Sequence, residues 1–170
     1  EHSPEQRLQQ LTHYRQALAS LYTRDADFRI PFEWQQVFRH MAQAIATHRL
    51  PHTLLDDLLR AFMQDVQHTR DGRLYADREQ LLAYCRWSAN PVGRLLLHLY
   101  GVTDERALAQ SDAICSALQL INFWQDLSQD IPRGRHYIPQ TDRQRFGLST
   151  PDVQARVPTP AMGAFVQDAC

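Results

Sequence analysis

Apolar residues recur at three- and four-residue intervals along almost the whole chain, and no stretch alternates residue by residue, so helices must bury their faces against other helices. Ser3-Pro4-Glu5-Gln6 opens the series: Ser3 is suited to cap, Pro4 to the first helical position and Gln6 to closing a capping box. Leu8, Leu11, Leu18 and Leu21 then predict a buried face. A second helix is expected over residues 32–49, with Val37, Met41 and Ile45 on one stripe. A third should start at Pro51 and carry Leu54, Leu55, Leu58, Phe62 and Val66, with Asp71-Gly72 as its break. Asp77 with Gln80 marks another start, opening a long helix to Tyr100. Thr103 is the expected cap of the next. Thr159-Pro160 starts a last helix whose apolar side is Met162, Phe165, Val166 and Ala169. The expected fold class is all-α, a helical bundle forming one domain over residues 1–170.

Composition narrows the partners. With 18 basic and 19 acidic residues and no basic run, the 170-residue chain has no electrostatic footprint for nucleic acid. Cys85, Cys115 and Cys170 are far apart and unpaired in spacing, which argues against a disulfide framework or a zinc site and favours a cytoplasmic location. The longest nearly apolar run, residues 95–102, contains His98 and is too short to span a bilayer. Peripheral contact with a membrane surface stays open. A start at Glu1 without an initiator Met, and a helix running to Cys170 without a cap, lead us to expect further sequence at both ends.

Within residues 119–139, Asn122, Asp126 and Asp130 follow one another at four-residue steps. On one continuous helix, steps of about 6 Å would set three oxygen-bearing side chains along one stripe, suited to magnesium-bound diphosphate. Two carboxylates so spaced repel unless a cation lies between them. Pro132 lies just past the expected helix end. Arg135 is then available to pair with diphosphate oxygens and Tyr137 to hydrogen-bond them, although a salt bridge from Arg133 or Arg135 to the helix C-terminus is an alternative.

The Asn122 segment resembles the second aspartate-rich motif of the squalene/phytoene synthase family, the all-α head-to-head prenyl transferases. Upstream, a Tyr84-Cys85 pair leads a helix of small residues, Ser88, Ala89 and Gly93, that ends at Gly101, and this resembles the family's other signature. The likeness is clear from about Leu58 to Leu148. Two wordings, Asn122-Phe123-Trp124-Gln125-Asp126 and Ser88-Ala89-Asn90-Pro91-Val92-Gly93, are similar to the bacterial hopanoid-pathway branch of hydroxysqualene synthases. Gln125 stands where relatives carry an arginine near the diphosphate, so that arginine's role does not carry over.

The resemblance implies an isoprenoid-synthase-type bundle, here truncated at both ends, acting with Mg²⁺ on presqualene diphosphate or farnesyl diphosphate to give hydroxysqualene or squalene plus diphosphate. Phytoene or presqualene diphosphate synthesis is the alternative within the family; a non-catalytic interaction module or an inactive fragment is the alternative outside it. Asn122, Asp126 and Asp130 become the expected metal ligands. Tyr84 is expected to steady a carbocation, Ser88, Ala89 and Gly93 to leave room for a farnesyl tail, and Gln119 to lie near substrate. Asp65 matches an acid recurrent in the family, with a structural role equally open. A kink is expected at Pro91, where an amide donor is lost.

The family's first motif, DDxxDE, is not present and would fall just before Glu1. Asp56 and Asp57 are expected to be charges on an amphipathic helix rather than its substitute. Squalene formation would require a hydride donor such as NADPH. The chain has no glycine-rich dinucleotide loop, which favours water as the quencher, although a nicotinamide can bind this fold without one.

Overall fold

The computed structural model describes residues 2–23, 25, 27–149, 153 and 159–169, with only the backbone of Ala169. Every regular element among them is helical: α1 Pro4–Thr23, a 3-10 turn Phe32–Trp34, α2 Gln35–His48, α3 His52–Asp71, α4 Arg78–Ser88, α5 Asn90–Leu99, α6 Glu105–Gln125, α7 Leu127–Asp130, a 3-10 turn Ile131–Arg133, α8 Gln140–Arg145 and α9 Pro160–Ala169. The all-α expectation holds. No helix among the described residues is long and apolar enough to cross a membrane. Glu1 and Cys170, used above to judge the ends, lie outside the described residues, as does the side chain of Ala169.

Local chemistry accounts for most boundaries. The Ser3 hydroxyl accepts from the Gln6 amide at 3.2 Å and the Gln6 side chain accepts from the Ser3 amide at 2.9 Å, a closed capping box. Asp77 accepts from the Gln80 amide at 2.8 Å, while the Gln80 side chain reaches back to the Ala76 amide. The cap of α6 is Asp104 rather than Thr103, its carboxylate accepting from the Ala107 amide at 2.8 Å. The predicted helix over 77–100 is two helices, α4 and α5. They part at Ala89 (φ −126°, ψ −50°), which leaves Pro91 in the first turn of α5, where its missing N–H costs nothing.

α3 is the axis of the bundle and packs against α1, α4 and α5, while α6 lies against α4 and α5. One core joins α1, α2 and α3 around Ala17, Leu18 and Phe38. On α2, Met41 and Ile45 pack into this core as expected, but Phe38 rather than Val37 is the buried residue, Val37 being half exposed. A second core gathers Ala61, Tyr75, Leu81, Tyr84, Cys85, Phe123 and Tyr137, and a third holds α9 against α7 and the turn after it. Burial in the second core pushes the Cys85 thiol up to about 12, which leaves it without nucleophilic character at neutral pH.

Gly93 sits where α5 packs closely on α6. A Cβ there would lie 2.5 Å from both Cys115 Sγ and Ser111 Oγ, so the missing side chain lets the two helices touch. Asp56 is bound by both arms of the Arg15 guanidinium at 2.7 Å, and Asp57 faces Arg60 at 3.4 Å. Both acids are therefore engaged on the flank of α3, as the amphipathic-helix reading expects.

Candidate functional site

The stripe from Asn122 to Asp130 is not one continuous helix. α6 ends at Gln125, Asp126 is a hinge residue (φ −93°, ψ 10°), and α7 resumes for one turn before passing into the 3-10 turn at Ile131. Four-residue bonding nevertheless survives across the hinge: the Asp126 amide donates to the Asn122 carbonyl at 3.0 Å and the Asp130 amide to the Asp126 carbonyl at 2.9 Å. The three side chains keep their common face and all line one cleft of about 270 Å³.

Four separated segments build that cleft. α3 contributes Leu58, Ala61, Phe62 and Asp65, α4 contributes Tyr84 and Ser88, α6 contributes Gln119, Asn122 and Phe123, and the stretch after it contributes Asp126, Asp130, Arg133, Arg135 and Tyr137. The last stretch turns back because Gly134 takes a left-handed conformation (φ 74°), with its amide on the Ile131 carbonyl and the Arg135 amide on the Asp130 carbonyl. Of the residues singled out from sequence, Ala89 and Gly93 are not among the cleft's lining. Ala89 is the buried break between α4 and α5, and Gly93 faces α6.

Aromatic rings form the inner wall. Phe123 and Tyr137 stack with centroids 3.8 Å apart and planes 10° from parallel, and Tyr84 lies 6.0 Å from Phe123 and 6.3 Å from Tyr137. Such stacked faces present π-electron density that suits a cation. Ser88 Oγ is buried and has no hydrogen-bond partner among the described residues. An orphaned hydroxyl in a cleft wall is costly unless something occupies the cleft.

The charges are uneven. Burial pushes the Asp130 carboxyl up, Arg135 pulls it down, and the neighbouring Asp126 pushes it up again. Arg135 approaches Asp130 at 3.7 Å. Asp65 is also pushed up by burial and pulled down chiefly by the Tyr84 hydroxyl, then by Arg135 and the Tyr137 hydroxyl, which donates to it at 3.2 Å. That bond gives the Tyr137 hydroxyl a protein partner within the cleft.

Asp65 offers a test with a definite sign. Its folded value lies above the unfolded 3.8, so its stabilising contribution is full below 3.8 and is lost as pH rises through the folded value. Asp65→Asn carries no charge at any pH. It should therefore melt at a higher temperature than wild type at pH 7, with the difference vanishing as pH falls to 3.8. Thermal melts at both pH values check this, and a lower melting temperature at pH 7 would show that the tyrosine hydroxyls outweigh burial.

Among the described residues no group of three or more His, Cys, Asp and Glu side chains is arranged to hold a metal. The donor set of the stripe is two carboxylates and one amide oxygen. All are hard oxygen donors, and magnesium commonly takes only one or two carboxylates when substrate phosphates complete its shell. Burial raises the carboxyl of Asp130 most, Arg135 offsets part of that, and the Asp126 carboxylate adds a repulsion that a cation between the two acids would relieve. The residues fit magnesium shared with a diphosphate, not a cage made by protein alone.

Several lining residues carry no signal in the sequence. Phe62, expected in the core, is 54% exposed and opens onto the cleft, as Leu58 and Ala61 do beside it. Arg7 and Gln10 of α1 line an adjoining cleft of about 390 Å³ together with Phe62, Asp65 and Arg135. Only tertiary packing brings α1 to this place; the exposed aromatic on an apolar helix face becomes a clue once the packing is known.

The model of the squalene/phytoene synthase family matches residues 1–170. The chain is 38% identical over 117 residues to the hydroxysqualene synthase of Zymomonas mobilis, an alignment covering 66% of this chain and 37% of that protein. It is 35% identical over 124 residues to the hydroxysqualene synthase of Rhodopseudomonas palustris, covering 72% and 41%. The crystal structure of squalene synthase HpnC from Alicyclobacillus acidocaldarius superposes with a TM-score of 0.74 at 34% identity, over 94% of this chain and 56% of that one. The chain thus spans about two fifths of the length of these curated relatives. Matched over its whole length, and with both motif blocks facing one cleft, the chain belongs to the squalene/phytoene synthase family, on its hydroxysqualene-synthase-like branch.

Proposed function

We propose that the protein is a head-to-head isoprenoid synthase that acts with Mg²⁺ on presqualene diphosphate, releasing diphosphate and forming hydroxysqualene. The observation that carries this reading is the convergence of Tyr84, Gln119, Asn122, Asp126, Asp130 and Arg135 on one cleft from separated segments. The names of the hydroxysqualene synthase relatives support the substrate class.

Ionisation breaks the carbon–oxygen bond and leaves both electrons on the diphosphate. Asp126 and Asp130, with the amide oxygen of Asn122, would hold Mg²⁺, which supplies Lewis-acid neutralisation of that departing charge. Arg135 adds a guanidinium whose fork matches phosphate oxygens. The Tyr84, Phe123 and Tyr137 rings face the resulting cation with π-electron density and keep bulk water from it. Asp65 anchors Tyr137 through its hydroxyl and so holds this wall in place. Quenching by water adds a hydroxyl and releases a proton; quenching by hydride from NADPH would give squalene.

Product analysis decides between them. Full-length protein incubated with presqualene diphosphate and Mg²⁺ should yield hydroxysqualene with or without NADPH. Squalene appearing only with NADPH would replace water by hydride as the quencher. A hydrocarbon extract containing neither product would refute the reading.

A further inference from the structure

Quenching by water turns that water into a hydroxyl and leaves a proton over, and a cleft that keeps bulk water out needs its own group to take it. Among the described residues three carboxylates line the cleft, Asp65, Asp126 and Asp130. Asp126 and Asp130 are committed to metal in the reading above. Ser88, Gln119 and Asn122 carry no basic group at neutral pH, and Arg133 and Arg135 are cations. Burial, and then the Asp65 charge, push the Tyr84 and Tyr137 hydroxyls up, so neither tyrosine is a phenolate. Asp65 is the base that remains.

Its surroundings aim it at the right place. The Tyr137 hydroxyl donates to Asp65 Oδ1 at 3.2 Å, and the Tyr84 hydroxyl of α4 is a second donor. Both bonds favour the carboxylate over the acid, against the burial that opposes it. The rings that carry these hydroxyls lie 6.3 Å apart beside Phe123, so Asp65 is tied to the edge of the wall that faces the cation. A way out for the proton exists as well. Asp65 and Tyr137 also line a gap of about 10 Å³ shared with His68, three residues further along α3, which is near the least space that holds one water. His68 Nδ1 is buried without a hydrogen-bond partner among the described residues, and burial pushes the imidazole down, which leaves it neutral at pH 7. His68 opens in turn onto an outer cleft of about 380 Å³ between α3 and α4.

We propose that Asp65 is the general base of the quenching step, taking a proton from the water that adds to the cation. The water oxygen gives a lone pair to the cationic carbon, and one O–H bond breaks with its electrons left on that oxygen. The proton becomes the O–H of a neutral Asp65 carboxyl, and its release past His68 to solvent restores the carboxylate. This inference deepens the hydroxysqualene reading and rests on it. It gives Asp65 a chemical role besides the anchoring of Tyr137.

Full-length protein turning over presqualene diphosphate with Mg²⁺ is assayed for diphosphate released and hydroxysqualene formed. In wild type the two should be close to equimolar. Asp65→Asn should lower the yield of hydroxysqualene per diphosphate at least about ten-fold, with the balance appearing as hydrocarbons formed by loss of a proton from carbon. Diphosphate release shows that the variant is folded and still ionises its substrate. Tyr137→Phe removes the anchoring bond and leaves the carboxylate, so whatever turnover it loses, its yield per diphosphate should stay within about two-fold of wild type. Formate, offering a carboxylate in the space left by Asp65→Ala, should raise the yield of that variant at least about three-fold. An unchanged yield in Asp65→Asn, an equal fall in Tyr137→Phe, or no response to formate would overturn the base. Wild type that forms no hydroxysqualene is a different failure, because it removes the proposed reaction and the base with it.

Discussion

Asp126→Asn is expected to lower turnover of presqualene diphosphate by at least about two orders of magnitude, or roughly 2.7 kcal/mol of transition-state stabilisation, while leaving the helical circular dichroism unchanged. The position suits the test because its structural duties are carried by backbone. Its amide donates to the Asn122 carbonyl and its carbonyl accepts from the amides of Gln129 and Asp130. Among the described residues the carboxylate makes only a long contact with the Gln129 side chain, at 3.3 Å, which an asparagine oxygen can replace. What the substitution removes is charge. Asp130 is a poorer target, since it is buried and faces Arg135, so neutralising it also leaves a cation without its partner. Turnover within a few-fold of wild type in Asp126→Asn, at saturating Mg²⁺, would remove Asp126 from the ligand set.

How much of this was legible in the sequence follows from the range of each interaction. The α1 capping box is readable because Ser3 and Gln6 satisfy each other across three residues, without tertiary help. The face shared by Asn122, Asp126 and Asp130 is readable for the same reason, and it survives although the helix does not run straight through Asp126. Where two neighbours could do one job, local reading fails. Thr103 and Asp104 are both competent caps, and the carboxylate one residue later takes the Ala107 amide. Val37 and Phe38 both fit a helical stripe, and the larger ring wins the buried place between Tyr14 and Trp34. Small residues are ambiguous in a similar way, because a glycine that frees space for a ligand and one that frees space for a helix read alike; Gly93 belongs to the second kind. Arg7 is the extreme case. Phe62, Asp65 and Arg135, which line a cleft with it, come from distant segments, and nothing in its own segment distinguishes it from a solvated helix charge.

Phe165→Ala is expected to destabilise the fold by about 3–5 kcal/mol, the second large effect, and by a route far from the chemistry. Phe165 is completely buried in α9 and meets Trp124 and Phe146 edge-on at 5.3 and 5.8 Å. Leu127, Ile131, Ile138 and Leu148 complete its surroundings. Leu127 and Ile131 flank the segment that carries Asp130, so this core is the floor on which that end of the acidic stripe rests. The ion pairs of Asp168 with Arg78 and Arg145 also tie α9 down, but they lie at the surface, where water and salt screen them. They cannot replace an aromatic ring. A domain of ordinary stability, about 5–15 kcal/mol, would lose a large share of it to this one truncation. Urea unfolding followed by tryptophan fluorescence measures the loss directly, because Trp124 touches the substituted ring. Val166→Ala, on the partly exposed side of the same helix, should cost under about 1 kcal/mol. Equal effects of the two substitutions would mean that α9 does not pack through Phe165. A large loss in Phe165→Ala accompanied by weaker Mg²⁺-dependent diphosphate binding, under conditions where the chain is still folded, would show that the α9 core positions Asp130 as well as stabilising the chain.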